Sequence, residues 1–133
     1  MKYLSLLMAV ALLGLPSISK AEQADRGPQI YMQSRCFACH GQLGTGGFGP
    51  TLAGDRILAI KKFVIAQILI GRGKMPEFGS RLSDDEVAAV AQYVRNNWGN
   101  HYGPVTASDV ASVRELMKKA SDEAAKAESP QQQ

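Results

Sequence analysis

Cys36-Phe37-Ala38-Cys39-His40 sets two thiols and an imidazole at C-x-x-C-H spacing, and these two cysteines are all the chain has. The chemistry that uses all three groups is covalent haem attachment. The thiols add to the two haem vinyl groups as thioethers. The histidine that follows then lies under the iron and offers a ring nitrogen. Other uses of a C-x-x-C pair fit less well. A four-thiolate zinc site needs two more cysteines, and a Cys2His2 site needs a second histidine near His40. The other histidine, His101, is remote in sequence. A thioredoxin-like dithiol belongs beside a βαβ pattern, and no strand alternation appears here.

The second axial position needs a donor, and Met75 is the best candidate. It follows His40 by 35 residues, enough chain to pass round the haem edge and return on the far face. A thioether is a soft ligand, and Met/His ligation raises the potential of a haem. Gly73 and Pro76 favour a fixed, non-helical loop around it. Met117, the other methionine after the motif, falls on a peripheral late helix. The plain alternative is that Met75 is a core methionine, and His101 is the competing ligand.

The elements that must position these groups read as helices and loops. Lys2, the apolar run Leu4–Leu15, Pro16 and the small residues Ser19 and Ala21 have the order of a secretory signal peptide. The run is 12 residues long, short of the roughly 20 that span a bilayer. Cleavage after Ala21 would leave 112 residues, one small domain. A first short helix is expected from about Pro28 to Arg35. Gly41–Gly54 holds six glycines, which exclude regular structure and suit a backbone folded closely against a flat ring. It lacks the Gly-Lys-Ser/Thr of a phosphate loop. Ile57–Ile70 reads as one helix with Ile57, Ile60, Val64 and Ile68 on a shared face, stopped by Gly71. Ser83 and Glu86 form a capping box for a helix to about Asn97. Trp98-Gly99 closes this compact part, 22–99. Thr106–Asp109 can cap a further helix to about Ala127, with Val110, Val113, Met117 and Ala120 as a narrow apolar stripe. Residues 129–133 read as a disordered tail.

Charge is divided along the chain. From Arg35 to Arg81 there are seven basic residues against two acidic, a net +5, while Leu82 onward carries −3. Without Lys2 and Lys20 the whole chain is near neutral at +1, so the sequence does not read as nucleic-acid binding. The basic half is either an ordinary solvated surface or a field that steers an acidic redox partner.

From Gly27 to Gly99 the chain resembles the class I, monohaem bacterial cytochromes c. The resemblance rests on Tyr31, Cys36-Phe37-Ala38-Cys39-His40-Gly41, Gly49-Pro50-Thr51-Leu52-Ala53-Gly54, Gly71-Arg72-Gly73-Lys74-Met75-Pro76 and Tyr93-Val94-Arg95. It implies an all-α cytochrome c fold wrapped around one haem c, here with a C-terminal helical extension. It implies thioethers at Cys36 and Cys39, axial ligands His40 and Met75, and a Pro50 carbonyl that accepts the other ring N–H of His40. Phe48, Leu52, Phe63, Ile68 and Phe78 would line the haem pocket. The first helix and the Ser83 helix would cross near Tyr31 and Tyr93. Gly27 and Tyr31 stand one residue further from the haem motif than the family's aromatic–glycine pair. The run from Trp98 to Val110 is similar to tails of cytochromes that serve periplasmic dehydrogenases.

The function so implied is electron transfer in the periplasm, with no catalysis of its own. Partners would dock on a basic face including Lys61, Lys62, Arg72 and Lys74. Two alternatives remain: a fixed cytochrome subunit of a dehydrogenase or oxidase, and an open-site haem enzyme or gas sensor.

Overall fold

The computed structural model describes residues 20–128, with side-chain environments from residue 26. The apolar leader run and the 129–133 tail lie outside the described residues. Five helices and one 3-10 turn follow in order: α1 (Lys20–Gln33), α2 (Cys36–His40), the 3-10 turn Arg56–Ala59, α3 (Lys61–Ile70), α4 (Asp84–Asn96) and α5 (Ala107–Glu128). The described residues contain no strand, only an isolated bridge between Arg72 and Met75. The all-α expectation holds.

Helices α1 and α4 cross at Gly27. A Cβ placed there would lie 2.6 Å from Tyr93 Cβ and 2.7 Å from the Ala89 carbonyl oxygen, so only glycine lets the two backbones meet. One turn on, Tyr31 packs edge-on against Tyr93, with ring centroids 5.5 Å apart, and against Trp98 at 5.4 Å. The crossing forms despite the extra residue before the haem motif. The chain breaks between α1 and α2 at Arg35, which takes a left-handed conformation (φ 59°). Arg26 pairs with Glu86 at 3.5 Å and joins the same two helices at the surface.

The first helix is longer than expected. It starts at Lys20 and carries Pro28 in its interior, so Pro28 does not mark its first turn, and it ends at Gln33, before Arg35. The expected helix Ile57–Ile70 is also corrected. Asp55 accepts a hydrogen bond from the Ile57 N–H at 3.0 Å and starts a 3-10 turn. Ile60 is then extended (φ −82°, ψ 90°) and caps a separate α3. The tighter turn and the break shift the phase, so Ile57 and Ile60 face outward. Val64 and Ile68 are buried as expected, joined by Leu58, Ile65 and Leu69.

The Ser83–Glu86 capping box is present in both directions. It aims α4 so that Val87, Ala88, Val90, Ala91 and Val94 are buried. The core continues past Trp98-Gly99. Asn100, Val105, Val110 and Val113 are buried with it, and Thr106 and Asp109 cap α5 reciprocally at 2.9 and 3.1 Å. From Lys118 to Glu128 every residue of α5 is exposed.

Arg95 fastens these parts together. Its side chain is buried and donates to the carbonyls of Leu58 (2.8 Å), Ala59 (3.3 Å), Tyr102 (2.6 Å) and Gly103 (2.8 Å). Burial holds its pKa below the usual guanidinium range, with partial compensation from the Asp109 charge. One cation thus satisfies four backbone acceptors on the 3-10 turn and the segment leading to α5.

Candidate haem site

Helix α2 is a single short helix that presents Cys36, Cys39 and His40. Both cysteines are free thiols and half-buried. Burial pushes the Cys36 thiol up to about 11, and the nearby Cys39 adds to the shift against a backbone hydrogen bond that lowers it.

The glycine loop after α2 folds back on the histidine. The Gly46 N–H donates to the His40 carbonyl at 2.9 Å, and the Gly49 N–H to the Cys39 carbonyl at 2.9 Å. A Cβ on Gly49 would sit 2.8 Å from His40 Cε1, so glycine permits this approach. The return brings the Pro50 carbonyl to 2.9 Å from His40 Nδ1. A carbonyl can only accept, so Nδ1 carries the proton and Nε2 keeps its lone pair. That is the tautomer a metal-ligating histidine needs.

Two downstream residues close the same loop. Gly44 lies against the Trp98 ring. The Asn100 amide donates to the Leu52 carbonyl at 2.8 Å and to Val94 at 2.9 Å. Tyr31 donates its hydroxyl to the Gly41 carbonyl at 2.7 Å, and burial raises its pKa well above the ordinary tyrosine value.

Met75 sits in the non-helical segment after α3, as expected. Gly71 (φ 62°) ends the helix, and its α-carbon faces the Met75 carbonyl. The Met75 N–H donates to Arg72 at 3.0 Å. The side chain is half-buried, and its sulfur accepts a hydrogen bond from Gln67 Nε2 at 3.5 Å. Sequence reasoning passed over Gln67. The available signal was a lone amide in an otherwise apolar stretch of α3. Trp98, Asn100 and their hold on the loop were missed too, because nothing local marks them.

The other expected pocket residues divide. Ile68 and Phe78 are buried together, with the Phe78 N–H donating to Ile68 at 3.1 Å, and Leu52 is half-buried against the core. Phe63 is about one-third exposed and Phe48 is 89% exposed. His101 is an exposed loop residue. The chain's hydrophobic surface bears on the fit to a haem. Of eight large apolar side chains exposed among the described residues, six (Leu43, Phe48, Ile57, Ile60, Phe63 and Ile70) fall between His40 and Met75. Most of the exposed apolar surface among the described residues is thus carried by the stretch between the two candidate ligands. Together with the free Nε2 and the two free thiols, it suits a flat apolar macrocycle.

Residues 22–94 match the family described as cytochrome c oxidase, cbb3-type, subunit III. The chain belongs to the cytochrome c family. It is 33% identical to cytochrome c6 of Picosynechococcus sp. over 111 residues, 74% of this chain and 92% of that relative. It is 30% identical to the cytochrome c subunit of a quinone alcohol dehydrogenase from Gluconobacter oxydans over 113 residues. It is 34% identical to the gluconate 2-dehydrogenase cytochrome c subunit of Pantoea cypripedii over 112 residues. The chain spans about a quarter of the length of these two dehydrogenase subunits, 23% and 25%. Haem c, covalently attached, is the cofactor of this cytochrome, and its C-x-x-C-H fits that attachment. The family match supports electron transfer through that haem as this domain's role. No described helix is long and apolar enough to cross a membrane.

Proposed function

We propose that this cytochrome c is an exported, diffusing one-electron carrier with both axial positions of its haem iron taken by protein. Cys36 and Cys39 would carry the thioethers, and His40 Nε2 and the Met75 sulfur would hold the iron. Phe48, Leu52, Phe63, Ile68 and Phe78 line the pocket. The observation that carries this reading is the Pro50 carbonyl at His40 Nδ1, 2.9 Å away, which fixes the tautomer and frees Nε2. The haem supplies the reversible ferric–ferrous couple. The protein's part is to keep both ligands in place in either state, so that little reorganises when the electron moves. Gly71 and the Arg72–Met75 bridge support this on the methionine side. With no coordination position left open, the chain binds no substrate and is not itself an enzyme.

The signal-peptide pattern ending at Ala21 supports a periplasmic location. Domain limits of 22–99 for the haem-binding part and 100–128 for the extension go with this reading. Redox partners would dock at an exposed haem edge through Lys62, Arg72 and Lys74, all exposed. Lys61 contributes less, since its amine is 2.9 Å from Asp109. The second reading, a fixed subunit of a dehydrogenase, is favoured by the likeness to dehydrogenase cytochrome subunits.

Gentle isolation of the haem-loaded protein from its own compartment tests these readings. Elution as a lone small haem protein, with an electron-transfer rate that falls steeply with salt, supports the carrier. Co-elution with a dehydrogenase in fixed ratio refutes it in favour of the subunit. Rapid carbon monoxide binding to the ferrous form at native pH would refute both, because it requires an open site.

A further inference from the structure

The C-terminal helix reaches back to the segment that bears Met75. Three donors of Arg114 leave α5 for one place. Nε binds Asp84 Oδ1 at 2.7 Å, one terminal nitrogen the Gly79 carbonyl at 2.8 Å, and the other the Leu82 carbonyl at 3.1 Å. Gly79 and Leu82 belong to the loop that begins at Gly71 and carries Met75. The loop's other side is held by α3, where the Phe78 and Gly79 N–H groups donate to Ile68 at 3.1 Å and to Leu69 at 2.9 Å. Gly79 is thus gripped between two helices. A Cβ there would lie 2.7 Å from the Leu69 oxygen and 3.4 Å from the Arg114 nitrogen. The anchor behind Arg114 is firm, because Val110 and Val113 are buried in the core.

We propose that Arg114 is a positioning residue for the distal ligand: it clamps the Gly79–Leu82 segment onto α3 and so holds Met75 on the iron. The extension then has a task within this domain whatever docks on its far end. The physical basis is a shift of population. Met75 leaves the iron only when the Gly71–Ser83 loop swings out, and swinging out breaks the Arg114 fork. Each charge-assisted bond to the loop makes the open form rarer. An isolated exposed ion pair would contribute little, so the two carbonyl bonds matter more than the Asp84 contact. The proposal rests on Met75 being the distal ligand.

The test uses the full-length, haem-loaded ferric protein titrated with imidazole. Loss of the iron–sulfur charge-transfer band reports displacement of Met75. Apparent imidazole affinity scales with the fraction of molecules whose Met75 is off the iron, so Arg114→Gln should bind imidazole about tenfold more tightly. Amide exchange at Phe78 and Gly79 should quicken with it, while the buried amides of α4 stay slow. Arg114→Lys keeps a charge near Asp84 but cannot bind two carbonyls as a fork. It should tighten imidazole binding by a smaller factor, and it carries the test if Arg114→Gln fails to fold. Imidazole affinity within about twofold of wild type in the folded variants overturns the proposal. Absence of the charge-transfer band in wild type overturns the Met75 reading instead, and this proposal with it, so the two failures are separable.

Discussion

Replacing Gly27 with alanine isolates the crossing of α1 and α4. The added Cβ would meet Tyr93 Cβ at 2.6 Å and the Ala89 carbonyl oxygen at 2.7 Å. Carbon atoms in good contact stand about 3.5–4.0 Å apart. Both obstacles are fixed, one being backbone and the other a Cβ. No rotamer change relieves the clash, so α1 must retreat by roughly 1 Å. Overpacking of this kind costs about 1–3 kcal/mol. Retreat also opens the Tyr31–Tyr93 and Tyr31–Trp98 ring contacts, each worth about 0.5–1.5 kcal/mol beyond burial. Against this, alanine gains about 1 kcal/mol over glycine inside a helix. The net expectation is a loss of about 2 kcal/mol. Denaturant unfolding of the haem-loaded protein measures it: the midpoint falls while the slope stays constant. A variant as stable as wild type would refute the reasoning, because the propensity gain would then outweigh the contact.

Arg95→Met keeps the length of the side chain but leaves the Leu58, Ala59, Tyr102 and Gly103 carbonyls without their donor. A loss of about 3 kcal/mol or more is expected in the same unfolding experiment. Met75→Ala should abolish the ferric iron–sulfur band and lower the reduction potential; an unchanged spectrum and potential would remove Met75 as ligand. Glu86 has its pKa lowered by hydrogen bonds from the Ser83 N–H and hydroxyl and by the Arg26 charge, despite some burial. A depressed value means stability that is present above the ordinary glutamate value and lost as pH falls through the depressed one. Glu86→Gln should therefore lose stability at neutral pH and show a shallower acid dependence than wild type. Asp109 leaves a residual slope: burial would raise its pKa, but hydrogen bonds from Lys61 and Thr106 lower it overall.

What the sequence made legible was local. C-x-x-C-H, the six glycines and the Ser83–Glu86 box each operate within a few residues, and each appears where the spacing put it. The His40–Pro50 bond came from family resemblance and spans only ten positions. The Ile57–Ile70 stretch misled because a 3.6-residue period was carried across Ile60. Asp55 and the 3-10 turn change the period there, and side-chain capping leaves little trace in a hydrophobic pattern. Arg95, Asn100 and Arg114 stayed hidden for a different reason. Their partners are mostly backbone carbonyls, which every residue has, and the one side-chain partner, Asp84 of Arg114, lies 30 positions away. The expectation that Phe48 lines a pocket came only through the family, and the protein's own core does not enclose it.

The hold of Asn100 on Leu52, across 48 positions, has a consequence for the order of assembly. The loop around His40 closes on itself through local bonds within residues 39–53, but its tie to Asn100 forms only once the chain has been completed that far. Until then Cys36, Cys39 and His40 lie on a segment that lacks its tie to the C-terminal side of the chain. Once residues 98–100 dock, Trp98 stands against Gly44 and the imidazole is bracketed by Gly49 and Pro50. The late-arriving residues thus act as a latch over a loop that has already formed.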